Sequence, residues 1–246
     1  MASAERPSVT PDMAERSNPA YSTWYARRTI GPDGEFEICA VYSNEYPDGS
    51  VQEVPAGLPP TEARPVIFRA VYSPDGHPLV VKVTEYASKR QLALWYVSHP
   101  EPDADPVAHT LIAFSTPDFG DGVFVQPAVL DTLGIDLAAQ PGATRWWTDS
   151  GQFHQIYVAP KWRRKGVASK MILVAAAFGR GHGTPRLWGI GDYTDLGVAW
   201  MGGAVWSAVV PPRTKRLPAM TPEPDAVGVP PRNLVPDGSA EVEPSP

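Results

Sequence analysis

The sequence predicts an α/β fold: a mixed, mainly antiparallel sheet flanked by helices, with a β-rich N-terminal extension. Two observations predict it. Short strand-like runs in the first part of the chain are punctuated by Pro-Asp-Gly at 32–34, 47–49 and 74–76. Pro presets φ, Asp bonds within its own turn and Gly accepts positive φ, so each triplet reads as a hairpin turn. Further on, "VASKMILVAAAF" (167–178) is apolar almost all round and stands between strand-like "FHQIYV" and "RLWGIG". A helix of that character is buried against a sheet on one side and more protein on the other.

Taken in order, residues 1–19 are polar and without period, and read as a disordered N-terminus. Residues 20–100 form the β-rich part. "STWYARRTI", "EFEICAVYSN", "PVIFRAVYS" and "HPLVVKVTEY" are strands around the three turns, which together suggest an antiparallel meander. "ASKRQLALWYVSHPE" fits either a short helix or a strand. The second unit is assigned to 101–210. In it "VAHTLIAFS" reads as a strand, and "PAVLDTLGIDLAAQPG" as a helix started by Pro127 and stopped by Pro141-Gly142. "ATRWWT" and "FHQIYVAP" pair around "DSGQ", and of Trp146 and Trp147 one goes to the core while the other can line a substrate pocket. The buried helix spans 167–178, with Gly179 and Gly181 as its stop. "PRLWGIGDY" is a strand and "TDLGVAWMGGAVW" a Gly-broken helix or loop. Residues 211–246 are Pro-rich and aperiodic, the pattern of a disordered tail.

Composition narrows the function classes. Eight Trp and 43% hydrophobic residues are enough to bury a sizeable core. The net charge of −6 argues against general nucleic-acid affinity, although a local basic patch is compatible with it. Cys39 is the sole cysteine, so neither an intrachain disulfide nor a cysteine-rich metal site can form; it reads as a buried strand thiol. No apolar run is long enough to span a membrane and the N-terminus lacks a signal-peptide core, so the cytoplasm is the expected compartment. His77, His99, His109 and His182 show no clustered spacing, and no metal site is expected. "SKRQ" (88–91) is too short a basic run to indicate nucleic acid.

One stretch points to a ligand. In "VAPKWRRKGVASKM" (158–171), Lys161, Arg163, Arg164 and Lys165 crowd the start of the buried helix, where the helix dipole is already positive and no Asp or Glu caps it. The first-turn N–H groups lack intrahelical partners, Gly166 lets a bulky anion approach the main chain, and Ala168 and Ser169 are small. The mismatch is resolved by a phosphate or pyrophosphate partner. No Walker A or Rossmann fingerprint is present.

"RRKGVA", Arg163 to Ala168, resembles the [R/Q]-x-x-G-x-[G/A] pattern of the GCN5-related N-acetyltransferases (GNAT), and "IYVAPKW" resembles the strand and turn that precede it. The resemblance covers about 144–206 and implies a GNAT-like sheet. It implies that Arg163, Arg164, Lys165, Gly166, Val167 and Ala168 hold the pyrophosphate of acetyl-CoA or another acyl-CoA. It also implies that the strand at Ile156 and Val158 splays from its neighbour and bonds the pantetheine arm, and that a backbone N–H of this strand meets the oxyanion. An acyl group would then pass to a small-molecule or protein amine by direct attack in a ternary complex. His154 lies just before the loop and, by strict alternation, shares a face with Ile156 and Val158; it is the candidate base. Tyr193 is the candidate acid, because the last helix offers Trp200 and Trp206 where family members carry a Tyr. Asp192 and Asp195 beside it read equally as caps. Two other readings stand beside this one: a GNAT-like fold used for binding or assembly without turnover, and modification of a nucleobase amine.

Overall fold

The computed structural model describes residues 22–55, 65–90, 92–135, 139–189, 192–193, 195–201 and 215–216. Residues 1–19 and Trp206 lie outside them, and within 211–246 only Lys215 and Arg216 are described.

The first sheet runs in the order β3-β1-β2-β4-β5, with β1 Thr23–Thr29, β2 Phe36–Tyr42, β3 Val51–Glu53, β4 Val66–Tyr72 and β5 Pro78–Val83. The turns at 32–34 and 74–76 make the expected hairpins β1–β2 and β4–β5. The turn at 47–49 does not. It carries the chain past the start of β1, so β3 pairs parallel with β1 rather than antiparallel with β2. Long-range bonds impose this path: Asp48 accepts from the Thr23 N–H (2.8 Å), Gly49 donates to Thr23 C=O (2.7 Å) and Tyr25 donates to Ser50 C=O (2.8 Å).

The second sheet has the order β10-β9-β7-β6-β8, with β6 Trp95–Glu101, β7 Ala108–Phe114, β8 Phe124–Val125, β9 Gly142–Trp147 and β10 Phe153–Val158. The ambiguous 87–101 segment therefore resolves into a turn followed by strand β6. Helix α1, Pro127–Leu133, stops at Gly134 with φ 58°, earlier than the expected Pro141-Gly142. A left-handed glycine is itself a sufficient helix end. A seam joins the sheets: Val81 N–H donates to Gly122 C=O (2.8 Å), Gly122 N–H to Leu94 C=O (2.7 Å) and Tyr96 N–H to Val123 C=O (2.8 Å).

Helix α2, Val167–Gly181, lies across both sheets. Its Met171, Leu173, Val174, Ala175, Ala177 and Phe178 share one core with Phe36, Ile38, Ala40, Tyr72 and Val81 of the first sheet and Tyr96, Leu111 and Trp146 of the second. Burial of such side chains contributes about 1.5–3 kcal/mol each, which makes α2 the element that ties the halves together. The helix passes Phe178 and Gly179 and ends at Gly181, the second of the two expected stop glycines, with His182 as its cap. Thr184 N–H closes back onto Gly179 C=O (2.9 Å) around Gly183 at φ 67°. Beyond it, "PRLWGIGDY" yields a single parallel bridge from Trp188 to Gln152 and a two-residue strand, β11 Asp192–Tyr193, paired with β12 Lys215–Arg216. Helix α3 is Asp195–Met201.

Candidate functional site

Strand β10 and the start of α2 are joined by a compact turn. Ala159 N–H donates to Pro141 C=O (2.9 Å), Trp162 N–H to Ala159 C=O (2.8 Å) and Arg163 N–H to Pro160 C=O (3.2 Å). Arg164 then adopts φ 62°, which costs a side-chain-bearing residue about 1–2 kcal/mol, and Gly166 follows at φ 83°. The first intrahelical bond runs from Lys170 N–H to Gly166 C=O, so the amides of Val167, Ala168 and Ser169 have no helical acceptor. No side chain caps the helix and its first turn holds no acid. Lys161 and Lys165 flank the Trp162 ring at 5.6 and 4.9 Å. Six sequence-predicted residues, Arg163 to Ala168, are thus together at one uncapped helix start.

The edge of β10 opens beside it. Phe153 N–H donates to Trp188 C=O (2.8 Å) and Trp188 N–H to Gly151 C=O (3.0 Å); past Phe153, no ladder bond reaches this edge among the described residues. With Ala159 bonded to Pro141 and Tyr157 opposite Ala143, alternation turns the backbone groups of Tyr157 toward β9 and those of Ile156 and Val158 outward. The Val158 carbonyl accepts from Arg163 Nε at 3.2 Å, which leans this arginine back over the strand end.

The face expected for His154 is corrected. A β-bulge between Phe153 and Gln155 inserts His154 as an extra residue opposite Trp146 and Arg145. The inserted residue shifts the alternation: Phe153, Ile156 and Val158 pack on the α2 side, while His154 lies tilted against Trp147 on the opposite face, ring centroids 4.5 Å apart. Trp146 is the core member of the tryptophan pair and Trp147 the half-buried one. Arg145 sits 4.7 Å from the Trp147 ring and is held by a bidentate pair with Glu101, whose carboxylate also accepts from Thr110 (2.5 Å). His154 is exposed, and its basicity is lowered by partial burial first and by the Arg145 charge second. Tyr193 lies in β11 just ahead of α3.

Two features of the site escaped the sequence reading. The Ser88–Arg90 segment packs directly on the loop: a Cβ at Gly166 would meet Arg90 Cβ at 3.1 Å and Ser88 Oγ at 3.2 Å. It brings exposed Lys89 and Arg90 to the same helix start, and nothing local in "SKRQ" signals that contact. Lys170, 1% exposed, donates to Leu92 C=O (2.7 Å) and to both Asp121 oxygens (2.9 and 3.0 Å), anchoring the first turn of α2 to the seam between the sheets. A lone lysine inside an apolar helix was the available signal, since a buried charge needs a partner. Ser169, expected to leave the turn accessible, instead accepts from Trp200 Nε1 at 2.9 Å, which docks α3 on α2.

An amide cradle, clustered cations and an open strand edge can together hold an elongated ligand with a phosphorylated end. Residues 90–195 match the model of the acetyltransferase (GNAT) family, so the match reaches further toward the N-terminus than the 144–206 stretch that carried the resemblance. Comparison with curated proteins and with solved structures returns no match.

Proposed function

We propose, for a chain whose residues 90–195 match the model of the GNAT family, that it moves an acetyl or other short acyl group from acyl-CoA to an amine by direct attack in a ternary complex. The observation carrying this reading is the uncapped, cation-lined start of α2 beside the open edge of β10. Acyl-CoA would supply the activated thioester carbonyl. Arg163, Arg164, Lys165 and the main chain of Gly166, Val167 and Ala168 would bind the pyrophosphate, and the outward backbone groups of Ile156 and Val158 the pantetheine arm. The Val158 carbonyl, already engaged by Arg163, would share its acceptor capacity.

His154 would take the proton from the attacking amine. Its lowered basicity keeps the ring neutral near pH 7, as a base requires, and Trp147 holds it from the side. Tyr193 would return a proton to the leaving thiolate. A covalent route through Cys39 is unsupported, because burial pushes its thiol up to about 12. The acceptor would be a small-molecule or protein amine. Binding without turnover is the second reading, favoured by Trp200 packing onto Ser169 in the helix where family members carry a Tyr.

Calorimetric titration with acetyl-CoA tests the site on the native protein, Gly166→Glu and Ala168→Glu. The second variant keeps the left-handed glycine and places its carboxylate among the bare amides. Binding by the native protein that both variants lose is the expected result. No binding by folded native protein, or undiminished binding in both variants, overturns the reading. Turnover with an amine panel that falls at least tenfold in His154→Gln separates the enzyme from the binding module.

A further inference from the structure

The far end of α2 carries a feature that this function does not use. Three of the chain's five histidines, His77, His109 and His182, gather around Phe178. His182 stacks on its ring at 4.2 Å, His109 lies at 4.4 Å, and His77 meets it edge-on at 5.8 Å. Two glycines bring them together. Gly76 in the β4–β5 turn and Gly181 in the last turn of α2 lie so close that a Cβ on either would collide with the carbonyl oxygen of the other. Each is followed by a histidine, so their contact sets His77 beside His182 across 105 residues of chain.

The geometry of that pair is specific. His77 Nδ1 and His182 Nε2 are 3.4 Å apart, long for a hydrogen bond. Two imidazole nitrogens placed about 2.0–2.1 Å from one tetrahedral ion are separated by close to that distance. His182 Nδ1 lies 3.0 Å from Phe178 C=O, which can only accept, so the ring proton sits on Nδ1 and Nε2 turns its lone pair toward His77. Ligating histidines characteristically tether the other ring nitrogen in this way. His77 is fixed by its turn, where its N–H donates to Ser73 Oγ (3.1 Å) and its carbonyl accepts from Ser73 N–H (2.9 Å). His109 stands apart, with Nε2 2.7 Å from the Ser98 hydroxyl, and Asp75 is engaged by the Ser73 hydroxyl. Among the described residues no third His, Cys, Asp or Glu joins the pair, which leaves the remaining ligand positions to water.

We propose that His77 and His182 chelate a late first-row divalent ion (Zn²⁺, Ni²⁺ or Cu²⁺) and so staple the β4–β5 turn to the end of α2. Imidazole nitrogen selects these ions over Mg²⁺ or Ca²⁺.

Thermal unfolding of tag-free full-length protein with zinc chloride is the test. The melting point should rise, by roughly 5–10 °C at zinc a hundredfold above its dissociation constant, and fall back on adding a chelator. The rise should vanish in His77→Gln and in His182→Gln, each checked for native circular dichroism, and persist in His99→Gln. Substoichiometric Ni²⁺ gives a readout that needs no variant: the ring protons of His77 and His182 should broaden before those of His99 and His154. No zinc-dependent rise in the native protein, an equal rise in the two pair variants, or broadening first at His99 or His154 each overturns the site.

Discussion

The two ends of α2 are built on opposite principles. At the C-terminal end the chain satisfies its own helix. Thr184 closes onto Gly179, His182 offers both its N–H and its ring to Phe178 C=O, and Tyr72 donates to Ala177 C=O (2.7 Å). At the N-terminal end three amides have no helical acceptor, the first turn holds no acid, and two departures from ordinary backbone one residue apart, Arg164 and Gly166, shape the cationic turn. One end is arranged for stability. The other gives stability up, which is the pattern of a surface completed by something outside the chain.

The largest expected effect follows from how the bare end stays attached. With no cap, the holding falls to Lys170, one turn inward, through Asp121 and Leu92 C=O. Lys170→Ala removes a buried cation and leaves Leu92 C=O unpaired, and should cost about 3–5 kcal/mol. Urea unfolding with an unchanged m-value would read this as a lower midpoint; a shift below 1 kcal/mol would mean the seam is held without it.

The closed end should break with acid. Burial, reinforced by His182 and His77, lowers the His109 ring to about 4 in the folded protein, against about 6.5 when unfolded. The unfolded state therefore binds the proton first. Stability from this group is full above pH 6.5 and falls as pH drops toward 4, by up to about 3 kcal/mol. Unfolding free energies across that window should slope downward, and the slope should flatten in His109→Gln. An equal slope in both would place the acid sensitivity elsewhere.

What was legible in the sequence divides along the same lines. The hairpins at 32–34 and 74–76, the β9–β10 pair, α2 and the six-residue loop are set by local chemistry, so turn residues and apolar periodicity were enough to find them. The bulge at His154 left no trace, because one inserted residue changes which face follows without changing which residues are apolar. The parallel placement of β3 depends on Asp48 reaching Thr23, 25 residues away. The packing of Ser88–Arg90 on Gly166 and of Gly76 on Gly181 are likewise contacts between distant segments. Two Gly-His dipeptides were visible, but their adjacency was not.

A smaller effect tests the strain at the open end. Arg164→Gly removes the penalty of φ 62° and should stabilise the protein by about 1 kcal/mol, while removing one cation from the loop. A raised denaturation midpoint with weakened acetyl-CoA binding is the expected pair of changes. Unchanged stability would mean that the left-handed arginine is not strained.

The smallest effect sharpens the comparison most, because its two readouts should move in opposite directions. Ala168→Glu puts a carboxylate in the first turn of α2, where the dipole and the bare amides favour negative charge. It should stabilise the fold by about 0.3–1 kcal/mol, and Arg163, Arg164 and Lys165 should add to the gain at low ionic strength. The same carboxylate occupies the position assigned to the pyrophosphate, so acetyl-CoA affinity should drop at least tenfold. A helix start that merely tolerates its missing cap would gain stability and lose no affinity. One kept bare for a ligand must trade the two, and a variant more stable than the native protein yet unable to bind would show that the absent cap is part of the site.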